Sequence, residues 1–356
     1  MLSKVRVLFY MLLFVLPFGG WGYGDIVSAP KVDIVSTPES GVVISSESGI
    51  VISHTEQGKI QRDRLKLASW NIRILSDHSR DDGELRKIAH VLLNYDFISI
   101  VELHDEAVLK RLQIILLQQG NRRYNYQISP PVGRLEKERV AFLYDVALVD
   151  VVRRGELYPD VKDNFSRDPY WATFRAGRFD FSIIAVHVIW GDSVARRQAE
   201  IQALLEVYAV VQFINGAEND VLLVGDFNRN SNDAIAYSAL KALPTMEQLF
   251  LYPQKSHIRD TSLYDNIFFQ RYFTKEYAGK CGINKFDETD FGNDDKAASL
   301  AVSDHRPVWA HFWIDGVDDD GSDDGKNRLE ILKMRLKELQ NPSIIPNKPT
   351  VPSDIR

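Results

Sequence analysis

A chain of 356 residues with a single cysteine, Cys281, can form no intrachain disulfide, and it offers little to a soft metal that prefers thiolates. A domain of this length has to be held by its apolar core instead. Excess positive charge is also missing. With 43 Lys and Arg against 49 Asp and Glu, the formal net charge is -6. That balance argues against a protein that binds nucleic acid through its overall charge. It leaves room for a local basic strip, or for a bound cation that supplies positive charge where it is needed. Apolar runs long enough to cross a membrane are scarce as well. The longest candidate, 7–16, is too short for a comfortable span. Lys4 and Arg6 precede it, and Pro17, Gly19, Gly20 and Gly22 follow. This is the pattern of an export signal, which places the mature protein outside the cytoplasm, secreted or periplasmic. Left uncleaved, the same segment would be an anchor and retain the protein at the cell surface. No cysteine lies near it, which speaks against lipoprotein processing.

What is present is globular. Apolar residues make up 45% of the chain and charged residues 26%, with 6 Trp, 14 Tyr and 18 Phe to fill a sizeable core. Beyond the signal (1–24), residues 25–63 are repetitive: "DIVS" occurs at 25 and again at 33, and "SGVVIS" at 40 returns as "SGIVIS" at 48. The repeat is too short for a solenoid, and the composition is that of a Ser/Gly-rich spacer. At the other end, 316–356 begins with "GVDDDGSDDG". Asp320, Ser322, Asp324 and Gly325 match the start of a calcium loop, but Ile331 stands where the bidentate Glu is required, so a solvated linker is the better reading. Leu329, Leu332, Leu336 and Leu339 then follow a 3-4-3 spacing, which gives either weak self-association or packing onto the parent domain. No stable protein partner is expected. The Pro-rich end, with Pro342, Pro346, Pro349 and Pro352, is expected to be disordered.

Between these flanks lies one domain, 64–315. Its β-type runs predict strands at 65–70, 97–101, 139–144, 147–152, 171–174, 179–187, 221–225, 262–269 and 308–314. Helical periodicity appears in three places. One set is Leu85, Ile88, Ala89 and Leu92; the next is Val108, Leu109, Leu112, Ile115 and Leu116. The longest is Ile201, Leu204, Leu205, Tyr208, Val211 and Ile214. Many strands and few helices indicate an α+β domain, two packed sheets with helices outside.

Polar clusters end or follow these strands: "SWNIR" (69–73), "IVELHD" (100–105), "AVHVIW" (185–190), "LLVGDFNRN" (222–230) and "SDHRP" (303–307), with "YDN" at 264–266. Singly, each has an ordinary explanation in turn chemistry or helix capping. Loops selected only for turning favour Gly, Pro, Ser and Asn, and do not repeatedly present acids and histidines. The oxygens of Asn71, Glu102 and Asp304 suit a hard divalent cation. Two histidines beside candidate carboxylates suit proton transfer near neutral pH. Cation, acid and base together are what in-line hydrolysis of a phosphodiester requires.

Taken in order, "SWNIR", "VELHD", "AVHVIW", "VGDFN", "YDN" and "SDHRP" resemble the endonuclease/exonuclease/phosphatase superfamily. The likeness is greatest to its deoxyribonuclease I branch, which "KER" (137–139) and "NFSRDP" (164–169) also resemble. The resemblance covers residues 65–314. It implies a four-layer αββα sandwich, two mixed sheets flanked by helices. It further implies that Asn71 and Glu102 hold the divalent cation with Asp304 close by. The ion would be Mg²⁺, with Ca²⁺ or Mn²⁺ as alternatives. His187 would pair with Glu138, and His305 with Asp265. Asp226 and Asn228 would orient water and a phosphoryl oxygen, and Arg73 and Arg167 would grip the phosphate backbone. Which histidine is base and which is acid stays open. Two positions depart from that branch: His104 stands where an arginine is usual, and Glu136 where an aromatic is. Both weaken the expected grip on duplex DNA.

The function that follows is a secreted, metal-dependent endonuclease hydrolysing DNA. The alternatives are a phosphoesterase of the same superfamily acting on a lipid headgroup, of sphingomyelinase or inositol phosphatase type, and a toxin-like subunit that binds without catalysis.

Overall fold

The computed structural model describes residues 62–133, 137–191, 193–214 and 219–316. The expected export signal, nearly all of the spacer, and the acidic, leucine-patterned tail from 317 onward lie outside the described residues. Among the described residues, twelve strands are β1 (Arg64–Leu75), β2 (Phe97–Leu103), β3 (Tyr124–Ile128), β4 (Arg139–Asp145), β5 (Val149–Leu157), β6 (Tyr170–Ala176), β7 (Phe179–His187), β8 (Val221–Asp226), β9 (Met246–Gln248), β10 (Asp265–Gln270), β11 (Tyr277–Ile283) and β12 (Val308–Trp313). The helices are α1 (Asp82–Leu92), α2 (Ala107–Gly120), α3 (Val194–Ile214), α4 (Ser238–Lys241), α5 (Phe286–Thr289) and α6 (Asp295–Ala301).

The strands form two six-stranded sheets, ordered β11-β12-β1-β2-β4-β3 and β5-β6-β7-β8-β10-β9. Each sheet is antiparallel except for one central parallel pair, β1 with β2 and β7 with β8. A parallel pair needs a crossover, and α1 and α3 supply it in the two sheets. Alternation along the strands sorts the core into three layers. Leu65, Leu67, Phe97, Phe142, Phe174, Phe181, Val224 and Phe312 pack between the sheets. Ala68, Trp70, Ile98 and Ile100 face outward against Leu85, Ile88, Leu109 and Leu112 of α1 and α2. Ile184, Val186, Val221 and Leu223 pack against Ile201, Leu204, Tyr208 and Val211 of α3. The result is the α+β, four-layer αββα sandwich. Its centre is aromatic: the Phe174 ring lies 4.8 Å from Phe97, 5.7 Å from Phe142 and 5.4 Å from Tyr144.

Local chemistry accounts for the element ends. Asp81 caps α1 by accepting from Glu84 N at 2.8 Å, while the Glu84 carboxylate accepts from Asp81 N at 3.2 Å, a reciprocal capping box. Each expected strand overlaps an observed one; that expected at 147–152 starts at Val149, because Leu148 N donates to Asp145 O in a turn, and that expected at 308–314 ends at Trp313. The strand expected at 262–269 begins later, at Asp265, because Ser256 Oγ accepts from Tyr264 N and Asp265 N and holds the preceding residues in a loop. Strands β3, β9 and β11 were not anticipated: β3 and β9 are short sheet edges, and Gly279 and Gly282 interrupt the pattern of β11.

Candidate active site

Every cluster singled out in the sequence sits at the same end of the sandwich, where the parallel pairs finish. In the first sheet Asn71 pairs in register with Val101, and Glu102 is the next residue of β2. The β1 backbone then breaks register between Asn71 and Leu75, with Ile74 at φ 49° and Glu102 at φ 59°. Side-chain-bearing residues seldom occupy that region, and a β-branched one less often still. The distorted segment turns Ile74 N toward Glu102 Oε2, which accepts from it at 3.2 Å. The Asn71 amide donates to Glu102 Oε1 at 2.8 Å and to Asp226 Oδ2 at 3.0 Å, joining the two sheets.

In the second sheet His187 and Asp226 are direct register partners on β7 and β8. Gly225 makes their approach possible. At φ 141° it lies so close to β7 that a Cβ there would meet Val186 O at 1.9 Å. Antiparallel pairing of β10 with β8 sets Asp265 opposite Asp226.

These placements bring two histidine–carboxylate dyads together. His187 Nδ1 lies 2.9 Å from Glu138 Oε1, and His305 Nδ1 lies 2.7 Å from Asp265 Oδ2. Each Nε2 is thereby turned toward one shared atom, Asp226 Oδ2, at 3.9 Å from His187 and 3.8 Å from His305. His187 Nε2 is also 4.0 Å from Glu102 Oε1. Burial lowers the pKa of His187, opposed by the charges of Asp226 and Glu102 and assisted by Arg167. Burial works the same way on His305. There the charges of Asp265 and Asp226, and the Asp265 hydrogen bond, outweigh it and hold the imidazole well above its ordinary value.

The remaining expected residues divide. The Arg167 guanidinium contacts Glu138 directly, so it lies beside the first dyad. Asn228 reaches the site through its backbone: Asn228 N donates to Asp226 Oδ1 at 2.8 Å, while its side-chain amide clamps Val188 O at 2.8 Å. Asp304 is next to His305 in the chain and its charge acts on His305 and His257, but its carboxylate accepts no hydrogen bond from a described residue. Arg73 leans away: its side chain donates to Ser299 O at 3.5 Å.

Sequence reasoning missed the residues that hold these groups in place. Ser303 is fully buried. Its Oγ donates to Asn71 O at 2.7 Å and accepts from Arg73 N and His305 N at 3.2 and 3.1 Å. Trp70 Nε1 donates to His305 O at 2.7 Å. Arg306, buried to 1% exposure, bonds Asp287 through Nε at 2.7 Å. His257 was missed too; its ring centroid lies 5.7 Å from that of His305. Only Ser303 left a legible sign, its position inside "SDH".

Among the described residues, two groups of atoms could hold a cation. Asp226, Asp265 and His305 offer ligand atoms all within 4.8 Å of one another. There, however, Asp265 is already hydrogen-bonded to the imidazole. Asn71 and Glu102 offer hard oxygens, and Asn71 Oδ1 is buried without a hydrogen-bond partner among the described residues. A hard divalent cation is the natural partner for such an oxygen. The donor chemistry therefore fits a cation at Asn71 and Glu102, with Asp226 beside them.

The loop after Asp226 carries its own fastening. Asp233 accepts from Arg229 Nε at 2.7 Å, Gln198 Nε2 at 3.0 Å and Ala236 N at 3.0 Å, tying the loop to α3. Burial alone would raise its pKa, but these donors hold it near 2 against an ordinary 3.8. Charge-assisted bonds of this kind contribute about 2 kcal/mol, so Asp233→Ala should lose about that much stability at neutral pH. Because the folded pKa is depressed, the contribution is complete above the ordinary value and disappears as pH falls through the folded one. Urea unfolding should therefore show a wider gap between wild type and variant at pH 7 than at about pH 3. An equal gap at both would refute the assignment.

Residues 68–305 match the model of the Endonuclease/Exonuclease/phosphatase family. A deoxyribonuclease of Thioalkalivibrio sp. (strain K90mix) is 30% identical over 258 residues, covering 70% of this chain and 71% of its own. Deoxyribonuclease-1-like 2 of Mus musculus is 28% identical over 270 residues, covering 70% of this chain and 91% of its own. Among solved structures, truncated Caenorhabditis elegans TDP2 superposes with a TM-score of 0.49 at 16% identity, covering 70% of this chain and 97% of its own. The chain belongs to the endonuclease/exonuclease/phosphatase family and is a nuclease or phosphoesterase within it.

Proposed function

We propose that this protein is an exported, Mg²⁺-dependent endonuclease that hydrolyses phosphodiester bonds of DNA. The observation that carries the reading is the convergence of two dyads: both imidazoles fix Nδ1 to a carboxylate and turn Nε2 toward Asp226 Oδ2. A pair so held can remove a proton from attacking water and deliver one to the leaving oxygen on opposite sides of one phosphorus. A cation held by Asn71 and Glu102 would supply positive charge against the phosphoryl oxygens. Arg167 lies where it can add to that field. DNA as substrate is supported by the names of the deoxyribonuclease relatives at 28–30% identity.

The test is supercoiled plasmid with Mg²⁺, wild type beside His187→Ala. Wild type should nick and linearise the plasmid, and the variant should not. Equal nicking by both proteins, or by neither, would count against the reading. Phosphocholine or inositol phosphate released without any DNA cleavage would move the protein to the lipid-headgroup class.

A further inference from the structure

A second cluster of cations lies at the other end of β1, on the outward face of the first sheet. A cavity of about 320 Å³ opens there, lined by Arg62, Arg64, Lys66, Asn94, Arg122 and His311 among others. That volume is at the lower end of the range of ligand-binding clefts. β1 and β12 build it together, since Arg64 pairs in register with Trp313 and Lys66 with His311. Lys66 and Asn71 are five residues apart on β1, about 17 Å at the rise of a strand, and they point to opposite faces. This cavity is therefore separate from the candidate active site.

Its charges are unequally matched. The carboxylates on its wall already have partners. Asp96 takes Arg62, takes Arg122 at 2.6 Å, and accepts from Lys66 N at 2.9 Å; Asp63 takes Arg64 at 3.3 Å. The Lys66 ammonium has no carboxylate in hydrogen-bond contact among the described residues. It sits over the rings of Trp309, at 4.5 Å, and Tyr95, at 5.0 Å. Arg64 stacks on Trp313 at 4.3 Å. Burial pushes the Lys66 pKa down; the charge of Asp96 opposes this, and that of Lys280 adds to it. His311 Nδ1 is buried with no hydrogen-bond partner among the described residues. A half-buried ammonium held by two aromatic faces, an orphaned imidazole nitrogen and a stacked guanidinium make an environment that an oxyanion would complete.

We propose that this cavity is a binding site for the phosphate group of a small ligand, distinct from the catalytic centre. Lys66 and Arg64 supply the charge, and His311 donates through Nδ1. The assignment does not depend on the nuclease reading, because it is measured by binding.

The probe is inorganic phosphate, titrated against chloride at matched ionic strength, with the histidine imidazole resonances followed by NMR. His311 is assigned through His311→Gln. Its resonance should shift saturably in phosphate and not in chloride. Lys66→Met should weaken that response at least ten-fold while leaving plasmid cleavage unchanged, and Arg64→Gln provides a second test if Lys66→Met does not fold. His187→Asn should keep the His311 response, separating it from phosphate bound at the catalytic end. A 5′-mononucleotide as second probe distinguishes the source: tighter binding than phosphate assigns the cavity a nucleotide, and equal binding assigns the phosphate group alone. No His311 response, the same response in chloride, or undiminished affinity in both Lys66→Met and Arg64→Gln would overturn the proposal.

Discussion

Replacing His305 by asparagine should slow DNA cleavage by about 10²–10⁴-fold, the usual worth of a positioned proton-transfer group. Asparagine is the informative choice. Asp265 is fully buried, and removing its partner outright would leave a buried charge uncompensated at a cost of about 3–5 kcal/mol. An asparagine amide can still donate to Asp265, so the fold should survive while the Nε2 that faces Asp226 is lost. The double variant His187→Asn/His305→Asn carries the sharper information. If the two imidazoles serve one reaction coordinate, the double variant should be little slower than the slower single variant, because groups acting as a unit are grossly non-additive. Losses that multiply would mean that the histidines act in separate steps. Unchanged rates in both single variants, with folding verified by circular dichroism, would remove the dyads from the chemistry.

The second large effect concerns the cation. Chelation should abolish cleavage, and Mg²⁺ should restore it. Glu102→Gln should shift the Mg²⁺ concentration for half-maximal activity upward by about 100-fold or more, beyond what changes among supporting residues usually produce. The glutamine can still accept from Ile74 N or from the Asn71 amide, so the local backbone has reason to stay as it is. Activity that persists in chelator, or a Glu102→Gln variant with the wild-type Mg²⁺ requirement, would show that these oxygens do not serve a metal.

Much of this arrangement was legible in the chain because strand ends are legible. An apolar run that stops at Asn71, Glu102, His187 or Asp226 marks the rim of a sheet, and parallel neighbours bring such rims together. Glu138 and Asp265 became visible as dyad partners through family resemblance, since neither differs locally from an ordinary loop acid. Trp70 and Arg306 stayed hidden for another reason. Their partners are remote in sequence, as with Trp70 and His305, and nothing beside them in the chain hints at the bond. Strand β11 was obscured by its glycines, one of which makes room for the Trp309 ring beside Gly282. Asp304 and Arg73 show the reverse case: each lies within two residues of a site residue in sequence, yet neither side chain is hydrogen-bonded to Asn71 or Glu102.

Sheet order has one more consequence, for the cell that makes this enzyme. The first strand of the domain is flanked by its last, with Ser69 opposite Val308 and Arg64 opposite Trp313, and His305 arrives only just before that closing strand. During synthesis the ribosome has therefore delivered nearly the whole domain before the second imidazole exists. A chain that stops short of His305 lacks both the seam and the second imidazole, so it cannot assemble the paired dyads. Order of emergence thus withholds the paired dyads until β12 has been made.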